Sequence, residues 1–239
     1  MIDVEFNVFS DTPPGKDPDS YSPTLRDFHR ELWSKELPNG SLFTLDLDTP
    51  KLLHHSSEHG ELFLSSDAIG LTFKGVKKMS HIVQQLPSCE LDAFFDLAST
   101  IGAFIIFPSK RIDGKMTING ARGTNQRIQD RFDLTLECIR RFYAKEDSPL
   151  AAALARYSDY FELFKDFRGY VEFFLLQDLV CDEWKKIAFW HPFSSFDAPP
   201  LPQSLPEYRA FKTKVENFIT LRNQRIHAET RAATPTSSM

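Results

Sequence analysis

Apolar and polar positions alternate along Val4–Phe9, Ser41–Asp48 and Glu61–Ser66, the period of short half-buried strands. Ile101–Phe107 is instead a continuous apolar run, the pattern of a strand buried on both faces. Elsewhere the period is helical. Leu25, Phe28, His29 and Leu32 share one face of a helix that Ser22 or Thr24 caps and that runs to Ser34. Gly75–Leu86 and Glu90–Thr100 predict two more helices. From Asn125 to Lys145, Ile128, Phe132, Leu136, Ile139 and Tyr143 recur at steps of three and four, which predicts a long amphipathic helix. Ser148-Pro149 opens the next, with Leu150, Leu154, Tyr157, Phe161 and Phe164 inward. Tyr170–Val180 is apolar almost all round and predicts a central buried helix. Lys186–Trp190 reads as another strand. Pro206–Glu229 is a final helix with Tyr208, Phe211, Val215, Phe218 and Ile219 on one stripe.

Breaks in these patterns fall at Asp11–Pro23, at Pro38-Asn39-Gly40 and across the four prolines of Ala198–Pro206, which predict loops and a rigid connector. The expectation is a single α+β domain over residues 1–229. A small sheet belongs to residues 1–110, residues 111–229 are mainly helical, and 230–239 form a disordered tail. The 22 phenylalanines predict a large aromatic core.

Charge sharpens the picture at one place. The chain carries −5 overall, yet Lys110, Arg111, Lys115, Arg122, Arg127 and Arg131 crowd into 22 residues against only Asp113 and Asp130. The acidic remainder argues against a generic nucleic-acid coat. A positive spot on a negative body points to a compact anionic ligand. Glycine is scarce, but Gly114, Gly120 and Gly123 fall in this same block. Asn119-Gly120 predicts positive φ and exposed amides, and the helix expected from Asn125 would turn its positive end to the same space. Arg111, Lys115, Asn119, Arg122 and Arg127 are therefore the candidate ligand-binding residues, the guanidinium groups gripping phosphate or carboxylate oxygens in pairs. The alternative is a β-hairpin across Asp113-Gly114 with solvated cations. GARGTNQR lacks the Gly-Lys-Ser/Thr ending of a phosphate loop and the glycine spacing of a dinucleotide site.

Other chemistry is thinner. Cys89, Cys138 and Cys181 are widely spaced, which predicts a reducing, cytoplasmic setting. His54, His55 and His59 read as a solvated loop, so no metal site and no cofactor are expected. No apolar run reaches about 18 residues, so no membrane association is expected. Asp166, Arg168, Glu172, Gln177 and Asp178 accompany the most apolar segment, and Glu172 or Asp178 facing Arg122 or Arg222 would make a core ion pair.

The last helix holds a second candidate. Its stripe carries Arg222 inward, and an arginine there must be paired or face a polar cleft. Arg222, Asn223 and His227 spell R-N-x-x-x-H behind the lead-in FITL. The segment resembles the HEPN superfamily of small helical nucleases. That resemblance implies a homodimer whose two motifs meet in a cleft and cut RNA without metal. His227 would move protons, Arg222 would stabilise phosphate charge, and Asn223 would orient the group. On a straight helix Arg222 and His227 point roughly 140° apart, so the helix must end or distort there, or a second copy must complete the site. Over its greater length the chain is similar to an uncharacterised family of bacterial proteins, on the strings YSPTLRDFHRELWSK, RIDGKMTINGARG, RFDLTLECIRRFY and DFRGYVEFFLLQDLV. That resemblance implies no activity.

The preferred expectation is binding of a phosphorylated or nucleic-acid ligand, RNA or nucleotide, at the Arg111–Arg127 loops. Metal-independent RNA cleavage of a toxin or defence type is the first enzymatic reading. The alternatives are a non-catalytic regulatory protein gripping an acidic protein partner, and a small-molecule enzyme acting on a nucleotide or phosphate ester.

Overall fold

The computed structural model describes residues 2–46, 53–57, 60–70 and 77–232. Two short helices come first. Asp17 caps α1 (Pro18–Tyr21), and Ser22 caps α2 (Pro23–Trp33) by accepting from the Leu25 amide at 3.0 Å. Strands β1 (Lys35–Glu36) and β2 (Leu42–Phe43) pair across Pro38-Asn39-Gly40, where Gly40 supplies the positive φ the turn needs. The main sheet is antiparallel, in the order β3 (Leu53–Ser57), β4 (Gly60–Ala68), β5 (Phe104–Pro108). Between β4 and β5 lie α3 (Ser80–Val83) and α4 (Ser88–Ala98). The second half holds α5 (Ile118–Thr124), α6 (Phe132–Ala144), α7 (Ala151–Ala155), α8 (Ser158–Glu162) and α9 (Phe167–Phe173). A two-stranded ribbon, β6 (Val180–Cys181) with β7 (Lys186–Ile187), precedes the long α10 (Leu205–Ala232).

The architecture is α+β, with its small sheets set mainly in the first half and helices dominating the second. All five residues of β5 are buried, as their unbroken hydrophobicity dictates. Tyr160 donates to the Ile106 carbonyl at 3.0 Å, tying the helical half to this strand. Behind it Trp33, Phe164, Tyr170, Phe173 and Phe174 interlock, with ring centres such as Phe164–Tyr170 at 5.3 Å and nearly perpendicular. Helix α10 seats Phe211, Val215, Phe218, Ile219 and Ile226 in the core. Its approach to the turn before β5 is so close that a Cβ at Gly102 would stand 2.8 Å from the Ile219 carbonyl oxygen.

Several expected elements take another form. Val4–Phe9 is a pair of turns, and Ser41–Asp48 shortens to β2 plus one bridge from Asp46 to His54, its last residues lying outside the described ones. His54 and His55 stand in β3, not in a loop; His59 lies outside the described residues. The helix expected over Gly75–Leu86 is only α3, with Gly75 and Val76 likewise outside. The helix expected from Asn125 starts at Phe132, because Gln129 and Asp130 adopt positive φ and break the chain there. Tyr170–Val180 is not one helix: α9 ends at Phe173 and Leu175 turns left-handed at φ 56°. Residues 230–232 belong to α10 and not to a disordered tail.

A buried polar chain stitches α1 and α2 to β4. The Trp33 indole N–H donates to His29 Nδ1 at 3.0 Å, so the ring proton sits on Nε2 and is directed at Ser66 Oγ, 2.9 Å away. Burial holds this imidazole neutral, its pKa pushed down to about 3. The Ser66 hydroxyl proton is left for Asp19, whose carboxyl is pushed up to about 8 by burial and by the charges of Asp67 and Asp17. A folded value above the ordinary 3.8 means that the native state binds the extra proton. Stability contributed by Asp19 is therefore complete at low pH and is lost as pH rises toward 8. Asp19→Asn is expected to stabilise the protein by about 1–3 kcal/mol at pH near 9 and to flatten the pH dependence of unfolding. Urea titrations across that range check it, and a destabilised variant at high pH would refute the assignment.

Candidate functional site

The cation-rich block holds two buried arginines, Arg122 and Arg131, one exposed paired arginine, Arg127, and the exposed Arg111. In α5 the Arg122 guanidinium is fully buried. It is ion-paired with Asp67 of β4, donates to the Ala68 carbonyl at 3.1 Å and to the Asp130 carbonyl at 2.9 Å, and reaches Thr135 Oγ1 at 3.3 Å. Burial, with the like charge of Asp130, pushes Asp67 up to about 6 in spite of the guanidinium. Arg131 is also buried, forked onto Asp133 and donating to the His191 carbonyl at 3.1 Å. Arg127 lies along the connector, 2.8 Å from Asp197 and 3.1 Å from the Phe196 carbonyl. These three hold α5, α6 and the proline-rich segment together. Arg111 and Lys115 are exposed, and among the described residues neither has an ion pair.

The glycine geometry also departs from expectation. Asn119-Gly120 and Gly123 are helical, and of the block's three glycines Gly114 alone takes positive φ, next to Asp113 at φ 52°. The Gly120 amide is occupied, donating to Thr117 Oγ1 at 3.2 Å. No hairpin forms; Arg111–Met116 makes a tight exposed turn between β5 and α5.

Between that turn, α5 and β4 opens a cleft of about 330 Å³. Ser65 of β4, Ser109 and Arg111 after β5, Asn119 and Gly123 of α5, and Asp130 are among the residues that line it. Arg111 and Asn119 thus both line this cleft, Lys115 lies on the Arg111 turn outside the lining, Arg122 is buried in the core, and Arg127 forms an exposed pair with Asp197. Ser65, Ser109 and Asp130 were not foreseen. The strand period did carry a signal for one of them, since Ser65 must share a face with Asp67.

The motif on α10 is placed differently. Arg222 is fully buried and donates to three backbone carbonyls, Phe174 at 3.1 Å, Gly102 at 2.8 Å and Phe104 at 2.7 Å. Its carbon lies 5.7 Å from the Trp33 ring centre. Burial pushes the guanidinium below its ordinary range. Asn223 accepts from the Gly102 amide and donates to Thr100 Oγ1, both at 2.8 Å. His227 is half-buried, and the helix runs unbroken past it, so it points roughly 140° away from Arg222. Arg122 and Arg222 both feel the buried Tyr170 hydroxyl, but neither reaches solvent. The core ion pairs expected of Glu172 and Asp178 do not form: Glu172 pairs with Arg168 at 2.8 Å, and Asp178 with Arg225 at 2.6 Å.

Cys138 is buried, its thiol pushed up to about 12 by desolvation, while Cys89 and Cys181 are exposed. Among the described residues no cluster of three or more His, Cys, Asp or Glu side chains could hold a metal ion, and no helix is long and apolar enough to cross a membrane. No curated protein and no solved structure matches the chain. A model of a family of unknown function, DUF6994, matches residues 2–226, and the chain belongs to that family.

Proposed function

We propose that this protein binds a small phosphorylated ligand in the cleft between β4, α5 and the Arg111 turn. The observation that carries the reading is the contrast between its arginines. Arg122, Arg127 and Arg131 are each paired with a carboxylate, whereas Arg111 stands at a polar hollow and has no ion pair among the described residues. A guanidinium free at a cleft mouth can form paired charge-assisted hydrogen bonds to a phosphate, and Lys115 on the same turn adds long-range attraction. The volume, about 330 Å³, suits a small molecule better than a strand of RNA. RNA cleavage by Arg222, Asn223 and His227 is less well supported, since the first two side chains are consumed by the core.

Isothermal titration of the full chain with inorganic phosphate tests the proposal. Binding is expected to weaken with added salt, and Arg111→Gln is expected to reduce affinity at least about tenfold, the loss of one charge-assisted contact. Absence of binding at millimolar phosphate, or equal affinity in the variant, would overturn it.

A further inference from the structure

We infer that the phosphate this site takes is the headgroup of an anionic lipid, a phosphomonoester at a bilayer surface, with Ile112 and Met116 entering the acyl boundary beside it. This rests on the phosphate reading above and adds the surface that presents the phosphate.

All seven residues from Lys110 to Met116 are exposed. Ile112 is 37% and Met116 48% exposed, and among the described residues no other stretch of five positions leaves two large apolar side chains in water. Scattered singly, such residues mean little; a pair set among cations is the pattern of an interfacial anchor. Lys110, Arg111 and Lys115 stand here against Asp113 alone, on a chain of net charge −5. The turn is positive and the rest of the protein more negative than the whole. An anionic surface therefore attracts this tip and repels the body, which orients the approach.

The turn is pinned at both ends. Tyr157 donates to the Lys110 carbonyl at 3.0 Å, Arg156 to the Met116 carbonyl at 2.7 Å, and the Lys115 amide to the Ile112 carbonyl at 3.0 Å. Asp113 and Gly114 reverse the chain at φ 52° and 68°, and a Cβ at Gly114 would meet nothing within 4 Å. Docking therefore orders little further backbone. Arg111 and Met116 also line the cleft, so a cation, an apolar side chain and the cleft share one edge. A lipid presents the matching order, its phosphate outside and its acyl chains directly beneath. A sugar or nucleoside phosphate in solution would leave both apolar side chains in water. A protruding tip fits a flat bilayer, whereas an acidic protein would need a matching hollow. One short tip binds a membrane weakly; the headgroup in the cleft supplies the second attachment. Surface docking uses no spanning segment, so the lack of long apolar runs does not bear on it.

Sedimentation of the full chain with vesicles separates the two claims. The vesicles are phosphatidylcholine alone, and the same lipid mixed with equal fractions of phosphatidic acid, a phosphomonoester, or of phosphatidylserine, an anionic diester. Phosphatidic acid vesicles are expected to bind at least about tenfold tighter than phosphatidylserine vesicles, the worth of one charge-assisted contact, and phosphatidylcholine vesicles not to bind. Ile112→Asn, outside the cleft lining, is expected to weaken vesicle binding at least about tenfold, the loss of one inserted aliphatic side chain. Its affinity for inorganic phosphate in solution is expected to stay unchanged. No binding to phosphatidic acid vesicles, equal binding to both anionic lipids, full vesicle binding by Ile112→Asn, or a parallel loss of its phosphate affinity overturns this inference and leaves phosphate binding intact. Binding of poly-glutamate in place of vesicles overturns it too, and assigns the turn to an acidic protein. Failure of inorganic phosphate itself to bind removes the phosphate reading and this inference with it.

Discussion

Replacing Arg222 with methionine is expected to remove about 3–5 kcal/mol of folding stability, a large share of the roughly 5–15 kcal/mol available to a typical domain. The side chain is fully buried, and its three carbonyl partners come from separate parts of the chain: Gly102 and Phe104 around the start of β5, and Phe174 at the end of α9. Methionine fills the volume but donates nothing, so three buried carbonyl oxygens lose their partner together. Arg222→Lys keeps a charge without the fork and is expected to fall between the two. Urea unfolding of the three proteins measures the series, and a loss under about 1 kcal/mol for the methionine variant would show that the carbonyl cage contributes little. The result also governs how the R-N-x-x-x-H segment is tested. Any activity lost with Arg222 would be lost with the fold, so His227→Ala, at a half-buried position that closes no such cage, is the informative nuclease variant.

Periodicity carried the secondary structure where one face of an element meets the core. β5, α2 and α10 were legible because their burial is regular: five apolar residues in a row, or a stripe such as Phe211, Val215, Phe218 and Ile219. It failed where local backbone overrides pattern. The left-handed Gln129, Asp130 and Leu175 stop helices inside segments whose apolar spacing would carry them on, and none of the three is a residue type that announces such a turn as glycine does. The candidate site was half legible for a similar reason. Composition located the Arg111–Arg131 block, but the fate of each guanidinium depends on partners 55 to 70 residues away, Asp67 for Arg122 and Asp197 for Arg127. Arg222 was read correctly as an inward arginine needing partners. That those partners are backbone carbonyls and not Glu172 or Asp178 lay beyond any pattern of side chains.

Arg122→Met is expected to cost about 3–5 kcal/mol near pH 8 and distinctly less near pH 5. The guanidinium is the nearest positive charge to Asp67, which is buried in β4 and already held up at about 6. Without it, burial and the like charge of Asp130 favour the neutral acid against only the weaker Ala68 backbone hydrogen bond, so the carboxyl rises further. Its folded value lies above the ordinary 3.8, so the native state takes up the proton first as pH falls. The Asp67 contribution is then fully present at low pH and declines as pH rises through the folded value. Protonated Asp67 no longer needs the arginine, which is why acid partly rescues the variant. Asp67→Asn combined with Arg122→Met removes the stranded charge altogether and is expected to recover about half of the loss at pH 8, while showing little pH dependence of its own. Urea unfolding of both variants at the two pH values decides the matter: a cost for Arg122→Met that is the same at pH 5 and pH 8 would mean that loss of the Thr135, Ala68 and Asp130 contacts, and not the uncompensated Asp67 charge, dominates at this junction.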